Sequence, residues 1–222
     1  MRHEEKYSIN YSDYLILKSK LSTLFKSDKY TDAHGEYRVR SIYFDNQYDK
    51  ILMEKVNGYR KKEKFRLRMY NSDTSVIKLE KKIKIDNVCE KTSANLTLDQ
   101  AKKILNSDIN WMSRSDDDLI SEFYSRIRAY SLEPKTVVEY KRIPFEFRPG
   151  NTRITVDTEI RTGLRSIDFF NNNIFLVPTA DEYGVLEVKY DEFLPEIVRD
   201  AVGLVGRRRS AYSKYAIGRR FE

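Results

Sequence analysis

The chain has 222 residues, 41 Lys+Arg against 34 Asp+Glu, a formal charge of +7 and 40% hydrophobic residues, 13% of all residues being aromatic; this rules out disorder and supplies enough chain for a real core. Only eight glycines and five prolines exclude collagenous or low-complexity sequence, and the lone Cys89 excludes an internal disulfide or a Cys-rich zinc site, while His3 and His34 leave little for a histidine-based metal centre or a Ser-His-Asp triad. No apolar run approaches the roughly 18 residues a membrane span requires, and the charged start lacks the apolar segment of a secretory signal, so a cytoplasmic protein is expected.

In chain order, Arg2-x-Glu4-x-Lys6 alternates weakly as an opening strand. Asn10 or Ser12 can cap a helix running to about residue 26 with Leu15, Leu21, Leu24 and Phe25 inward. A strand candidate follows at 38–44, and 65–69 alternates apolar Phe65, Leu67 and Met69 with Arg66 and Arg68. The stretch 77–85 puts Ile77, Leu79, Ile83 and Ile85 opposite Lys78, Glu80, Lys82 and Lys84, with Lys81 breaking the pattern. Thr97 can cap a short helix over Ala101, Ile104 and Leu105, and Asp116, Asp117 and Asp118 suit the positive start of another carrying Leu119, Phe123, Ile127 and Tyr130. Strands are then predicted at 137–147, at 153–161 with Arg153, Thr155, Asp157, Glu159 and Arg161 on one side, and at 185–190 with Glu187 and Lys189 opposite Leu186, Val188 and Tyr190. Helices over about 192–205 and 210–217 close the chain. Strands outnumber helices and are joined by turns such as Asn57-Gly58 and Arg148-Pro149-Gly150-Asn151, which predicts an antiparallel α+β fold in a single domain spanning 1–222.

The polar faces of the five best strands carry ten basic residues (Arg2, Lys6, Arg66, Arg68, Lys78, Lys82, Lys84, Arg153, Arg161, Lys189) against five acidic ones (Glu4, Glu80, Asp157, Glu159, Glu187), a stronger bias than the whole chain shows. A sheet facing water would intersperse the signs more evenly. No glycine-rich phosphate loop of the P-loop or dinucleotide type is present, so a phosphate site must be built from side chains. If the strands curl with charged faces inward, the interior is a basic tunnel suited to a triphosphate, which guanidinium forks grip bidentately. Carboxylates in such a place make sense as ligands of a divalent metal shared with phosphates, and Glu187 and Glu80 are the candidates.

Eight segments in order carry a family resemblance: Arg2-His3-Glu4-Glu5-Lys6-Tyr7, Ser41-Ile42-Tyr43-Phe44-Asp45-Asn46, Phe65-Arg66-Leu67-Arg68-Met69-Tyr70, Leu79-Glu80-Lys81-Lys82, Lys141-Arg142-Ile143-Pro144-Phe145, Arg153-Ile154-Thr155-Val156-Asp157-Thr158, Val185-Leu186-Glu187-Val188-Lys189 and Ser213-Lys214-Tyr215. Over nearly the whole chain the sequence resembles the triphosphate tunnel metalloenzymes and, within them, the VTC-type polyphosphate polymerase domain. The resemblance implies an eight-stranded antiparallel β-barrel with a polar basic interior, flanked by helices, in which the γ-phosphoryl of a nucleoside triphosphate such as ATP passes to a growing inorganic polyphosphate chain. It also implies that Lys6, Lys55, Arg66, Arg68, Lys82, Arg142 and Arg153 line the phosphate path, that Glu187 holds Mn²⁺ or Mg²⁺, and that Lys214 with Ser213 contacts the reacting phosphates. Strand parity with Glu187 adds Lys189, and a one-residue slip would exchange Arg142 with Lys141. In this reading Lys214, Ser213, Arg66 and Arg68 do the catalytic work, and a membrane-bound partner could receive the product. Two positions depart from the family pattern: Arg2 stands where the broader superfamily begins Glu-x-Glu-x-Lys, and Ala211 where a second lysine often precedes Lys214.

Two other functions remain open from the residues. Water as acceptor would make the protein an inorganic or nucleoside triphosphatase, and a non-catalytic module could bind polyanions or nucleic acid through Arg207-Arg208-Arg209 and the tyrosines. Basic residues alternating within strands, with no nucleic-acid-binding motif, weigh against the latter. The arginine run reads as a helix end, Cys89 as an incidental thiol, and His3 and His34 as surface residues.

Overall fold

The structure is a computed structural model that describes residues 2–28, 31–85, 88–179, 182–203 and 206–220. In chain order it contains β1 (His3–Ile9), α1 (Tyr11–Leu24), β2 (Lys26–Ser27), β3 (Tyr37–Asp45), α2 (Lys50–Val56), β4 (Lys61–Tyr70), β5 (Asp73–Ile85), β6 (Val88–Leu96), α3 (Leu98–Leu105), α4 (Asp118–Tyr130), β7 (Glu133–Phe147), β8 (Thr152–Thr162), β9 (Val177–Pro178), β10 (Gly184–Tyr190), α5 (Glu196–Val202) and α6 (Lys214–Gly218). The strands follow the hydrogen-bonded order β1-β10-β8-β7-β3-β4-β5-β6, with β2 on β7 and β9 on β8. The fold is antiparallel α+β, with eight strands in the main path and helices packed on the sheet, as the alternation predicted.

The chain forms two compact units, one comprising Met1–Arg38, Tyr140–Ile160 and Pro178–Ser213, the other Val39–Glu139, Arg161–Val177 and Lys214–Glu222. In the first, Leu17 and Leu21 of α1 and Val198, Ala201 and Val202 of α5 pack on Ile9, Ile143, Phe145, Ile154, Val156, Leu186 and Val188, so the apolar sides of β1, β7, β8 and β10 lie beneath helices. Burying an aliphatic side chain of this kind stabilises by about 1.5–3 kcal/mol, which outweighs the weak helix propensity of so short an element as α5. Asn10 caps α1 with a reciprocal bond to Asp13. The inward face of α1 differs from expectation: Leu15 is 49% and Leu24 47% exposed. The buried pair is Leu17 and Leu21, four residues apart, and Leu15 falls on the other side of the helix because two residues turn it by about 200°.

In the second unit, Phe123 of α4 stacks on Phe65 at 4.7 Å and meets Phe44 edge-on at 4.9 Å. Ala101 and Ile104 of α3, Leu119 and Ile120 of α4, and Ile42, Leu67, Ile77 and Leu79 are buried as well. Thr97 caps α3 through a box with Gln100, and Asp117 caps α4. Lys81, which breaks the alternation of β5, points to the helix side and meets Glu122 of α4 at 2.6 Å, so the exception is an ion pair between sheet and helix.

Two elements were unpredicted and the two closing helices start later than expected. Strand β6 is an unpredicted edge neighbour of β5, because Cys89, Glu90, Lys91, Thr92, Ser93 and Asn95 give it little apolar signal beyond buried Ala94 and Leu96. Helix α2 also had no sequence signal of its own; its start is capped from a distance by Asp45. Helix α5 begins at Glu196 and ends at Val202, and the expected end near 205 lies outside the described residues. Helix α6 begins only at Lys214, because Ser210 instead donates its backbone N–H to the Lys6 carbonyl at 2.8 Å beside a Tyr7–Arg209 bridge.

Candidate anion- and metal-binding faces

Directly opposed residues of antiparallel strands share a face, so register alone defines the ionic side of the second unit. Across β4, β5 and β6 the register lines up Arg66, Glu80 and Ser93; Arg68, Lys78 and Asn95; Lys64, Lys82 and Lys91; and Lys62, Lys84 and Cys89. Among the described residues, eight Lys and Arg side chains thus share this face with the Glu80 carboxylate. That carboxylate is buried and accepts from Arg66 Nε at 2.8 Å, with Arg66 Nη2 at 2.6 Å, Arg68 Nη1 at 3.6 Å and Lys91 Nζ at 2.5 Å. Burial opposes its ionisation, but Arg68, Arg66 and Lys91 together prevail and hold its carboxyl far below the ordinary range. The cations also act on the neighbouring phenols: burial raises Tyr43 and Tyr70, yet Arg66, Arg68 and Lys214 around Tyr43, and Arg68 foremost around Tyr70, leave both below the usual tyrosine value.

Around Arg66 the geometry is fixed on two sides. Its Nη1 donates to the Tyr43 hydroxyl at 3.1 Å while its Nε holds Glu80. Arg68 Nε reaches Ser41 Oγ at 3.4 Å. Lys214 opens α6, and its field contributes to lowering the Tyr43 phenol, which brings Lys214, Arg66 and Arg68 to one neighbourhood. Lys55 lies half-buried in the last turn of α2, a helix that packs on β4 and α6. Ser213 is buried immediately before Lys214.

The ionic face of the first unit has a different balance. Register places Lys6 opposite Glu187, Glu187 opposite Thr155, Glu4 opposite Lys189 and Lys189 opposite Arg153. Glu187 has Lys189 at 3.1 Å, Arg142 at 3.6 Å and Lys6 at 3.7 Å, while Glu4 lies 3.6 Å from both lysines. Arg142 grips Asp157 with two bonds, 2.6 and 2.8 Å, and Arg153 pairs with Asp28 at 2.9 Å. Lys6 also donates to the Tyr212 carbonyl at 3.3 Å. Burial raises the Glu187 carboxyl, but Lys189, Lys6, the bond with Glu4 and Arg142 pull it well below its ordinary value. Arg142 belongs to this face; Lys141 points the other way, to Glu159 at 2.7 Å and Glu36 at 3.4 Å.

The metal expectation can be tested on this face. Among the described residues no three Asp, Glu, His or Cys side chains gather as a ligand set. Two carboxylates, Glu4 and Glu187, do adjoin, and beside Glu187 the Thr155 hydroxyl is buried without a hydrogen-bond partner among the described residues. Mg²⁺ commonly takes one or two carboxylates with the remaining positions filled by water and phosphate oxygens, so this donor set fits such an ion.

Strand parity had already put Glu4 and Asp157 on ionic faces, without naming their partners; Lys91 was missed, because nothing short of the β6 register reveals it. The Arg207-Arg208-Arg209 run is partly consumed within the chain, Arg207 by Asp13 at 2.7 Å and Arg209 by buried Glu5.

An antiparallel sheet whose ionic sides carry guanidinium, ammonium and carboxylate groups has the chemistry to bind phosphate-rich anions. Among solved structures, a putative adenylate cyclase from Bacillus halodurans shares the fold, with 13% identity, a TM-score of 0.50 and coverage of 85% of this chain and 80% of its own. Two proteins of Pyrococcus horikoshii, PH1012 and PH1819, are also similar, at 14% and 10% identity with TM-scores of 0.48 and 0.44, covering 93% and 91% of this chain and 92% and 84% of theirs. No curated protein matches. The model of the VTC domain matches residues 1–221, and the chain belongs to that family, part of the tunnel-metalloenzyme superfamily of phosphate- and nucleotide-handling enzymes that depend on divalent metals.

Proposed function

We propose that this chain is a polyphosphate polymerase, transferring the γ-phosphoryl of a nucleoside triphosphate, ATP foremost, to the end of an inorganic polyphosphate chain. The observation that carries this reading is the face of β4, β5 and β6, where register gathers eight Lys and Arg side chains among the described residues, Arg66 and Arg68 at its centre, with the chemistry to grip a polyanion. Arg66 and Arg68 hold the triphosphate there, with Lys82 and Lys55 extending the phosphate path, and Glu80 orients the two guanidiniums. Lys6, Arg142, Arg153 and Lys189 hold phosphate oxygens on the other ionic face. Glu187, with Glu4 and the Thr155 hydroxyl, would hold the divalent metal; we assign this role to Glu187 over Glu80 because Glu80 is already taken by three cations. When bound, Mg²⁺ or Mn²⁺ neutralises phosphate charge as a Lewis acid.

The reaction asks for positioning and charge stabilisation more than for a protein nucleophile. An oxygen of the terminal phosphate of the acceptor forms a bond to the γ-phosphorus, the bond from that phosphorus to the β–γ bridging oxygen breaks, and the nucleoside diphosphate leaves with its electron pair. Lys214 stabilises the charge that gathers as this bond breaks, and Ser213 orients the same phosphate. Incubating the protein with ATP and Mn²⁺ and resolving the products on a gel tests the reading: chains of growing length are expected, whereas orthophosphate alone would make the protein a triphosphatase. Binding of RNA without turnover of ATP would reject both.

A further inference from the structure

Lys214 opens a helix of only five residues, and a long flexible side chain on so short a support needs neighbours to give it a direction. The next residue supplies the anchor. Tyr215 is 2% exposed, its hydroxyl donates to Asp45 Oδ2 at 2.7 Å and accepts from Arg219 Nη1 at 3.0 Å, and Arg219 in turn holds Asp49 at 2.8 and 3.1 Å. Asp45 is itself fixed, because Oδ1 accepts from the backbone N–H of Asn46 at 2.8 Å and Ile51 at 2.9 Å, and Oδ2 from that of Leu52 at 3.0 Å. It therefore caps α2 in place of Asp49, the residue at the cap position, which makes no side-chain capping bond.

The Tyr215 ring stacks on Tyr43 at 5.2 Å, and the Tyr43 hydroxyl accepts from Arg66. One continuous set of contacts thus joins the start of α2, the start of α6 and the arginine of β4. These three elements carry Lys55, Lys214 and Arg66. A buried Tyr–Asp pair would serve folding anywhere in the molecule, but here it sits one residue from Lys214 and one ring from Arg66. From this geometry we infer that Tyr215 and Asp45 are positioning residues, fixing Lys214 and Arg66 relative to one another so that both meet the same phosphate chain. The inference rests on the phosphotransferase reading of these two cations.

The test is a double-mutant cycle on the full chain, with tripolyphosphate binding followed by calorimetry. Tyr215→Phe keeps the ring and removes only the hydroxyl. It is expected to weaken binding by about three- to tenfold, within the range of a coupled hydrogen bond. In a Lys214→Ala background the same change should weaken binding no further, since the cation it positions is gone. With metal and ATP, kcat should fall more than KM rises. Asp45→Asn, which keeps an acceptor for the tyrosine, should give a smaller loss with the same dependence on Lys214. Equal losses from Tyr215→Phe with and without Lys214, or wild-type affinity in Tyr215→Phe, would overturn the inference and leave the proposed function standing. Collapse of the fold in both Tyr215→Phe and Asp45→Asn would make the pair structural and overturn it as well. No tripolyphosphate binding by the wild-type chain would instead overturn the phosphotransferase reading, and this inference with it.

Discussion

On the face of β4, β5 and β6, eight Lys and Arg side chains accompany Glu80 among the described residues; on β1, β7, β8 and β10, Lys6, Lys189, Arg142 and Arg153 pair off with Glu4, Glu187, Asp157 and Asp28. Both faces arise from the same alternation of apolar and charged residues, and both place their apolar sides under helices. They differ in the residue types that the described parts of each face carry. The first is dominated by Lys and Arg, whose guanidiniums hold two neighbouring phenols below their usual value, and suits a polyanion. The second alternates cations with carboxylates, and those carboxylates are the groups able to share a metal with phosphate. The sign mixture on a strand face therefore says more about its ligand than a count of basic residues alone.

The largest expected effect tests the carboxylate side of this contrast. Glu187→Gln should cut metal-dependent turnover of ATP by about 10²–10³-fold, the size typical of losing one preorganised electrostatic group in phosphoryl transfer. Tripolyphosphate binding in the absence of metal should fall little, because the cation-rich face is untouched. Unchanged turnover in steady-state assays would remove the distinction between the faces.

A smaller effect concerns the Glu80 carboxylate of the cationic face. Glu80→Gln leaves Arg66, Arg68 and Lys91 to repel one another and should lower stability by about 1–3 kcal/mol in urea titrations at neutral pH. The sign with pH follows from the depressed carboxyls. Glu80 and Glu187 both ionise more readily folded than unfolded, so their contribution is complete above the ordinary glutamate value of about 4.3 and is lost progressively as pH falls below it. The Glu80→Gln protein should accordingly lose less stability between neutral and acidic pH than the wild type does.

The smallest effect separates two adjacent residues. Lys141→Ala removes a half-exposed pair with Glu159 and Glu36 on the helix side, and should change stability by less than about 1 kcal/mol and leave tripolyphosphate affinity as it was. A large loss of affinity in calorimetry would mean that the register on which the two faces rest is wrong by one residue.

Much of this was legible beforehand because period-2 alternation states which side of a strand is apolar without saying anything about its partners. Arg66, Arg68, Lys82, Arg153, Glu187 and Lys189 could be placed on ionic sides from parity alone. Arg142 could not, since Lys141 stands next to it and only pairing with Asp157 decides between them. Strand β6, with its polar composition, and helix α2, capped by a carboxylate several residues away, carried too little local signal to be found.

What the sequence determined by itself was the alternation, a cap at Asn10 or Ser12 and one at Thr97, the acidic start of α4, the family, and a surplus of cations on strand faces. These are local properties, fixed by side-chain chemistry and by backbone periodicity within a few residues. Tertiary structure decided how that surplus is spent. Which cations are neutralised depends on partners elsewhere in the chain, such as Glu80 for Lys91, Asp157 for Arg142 and Asp49 for Arg219, and charge pairing acts through space at a few ångströms, a distance the order of residues does not encode.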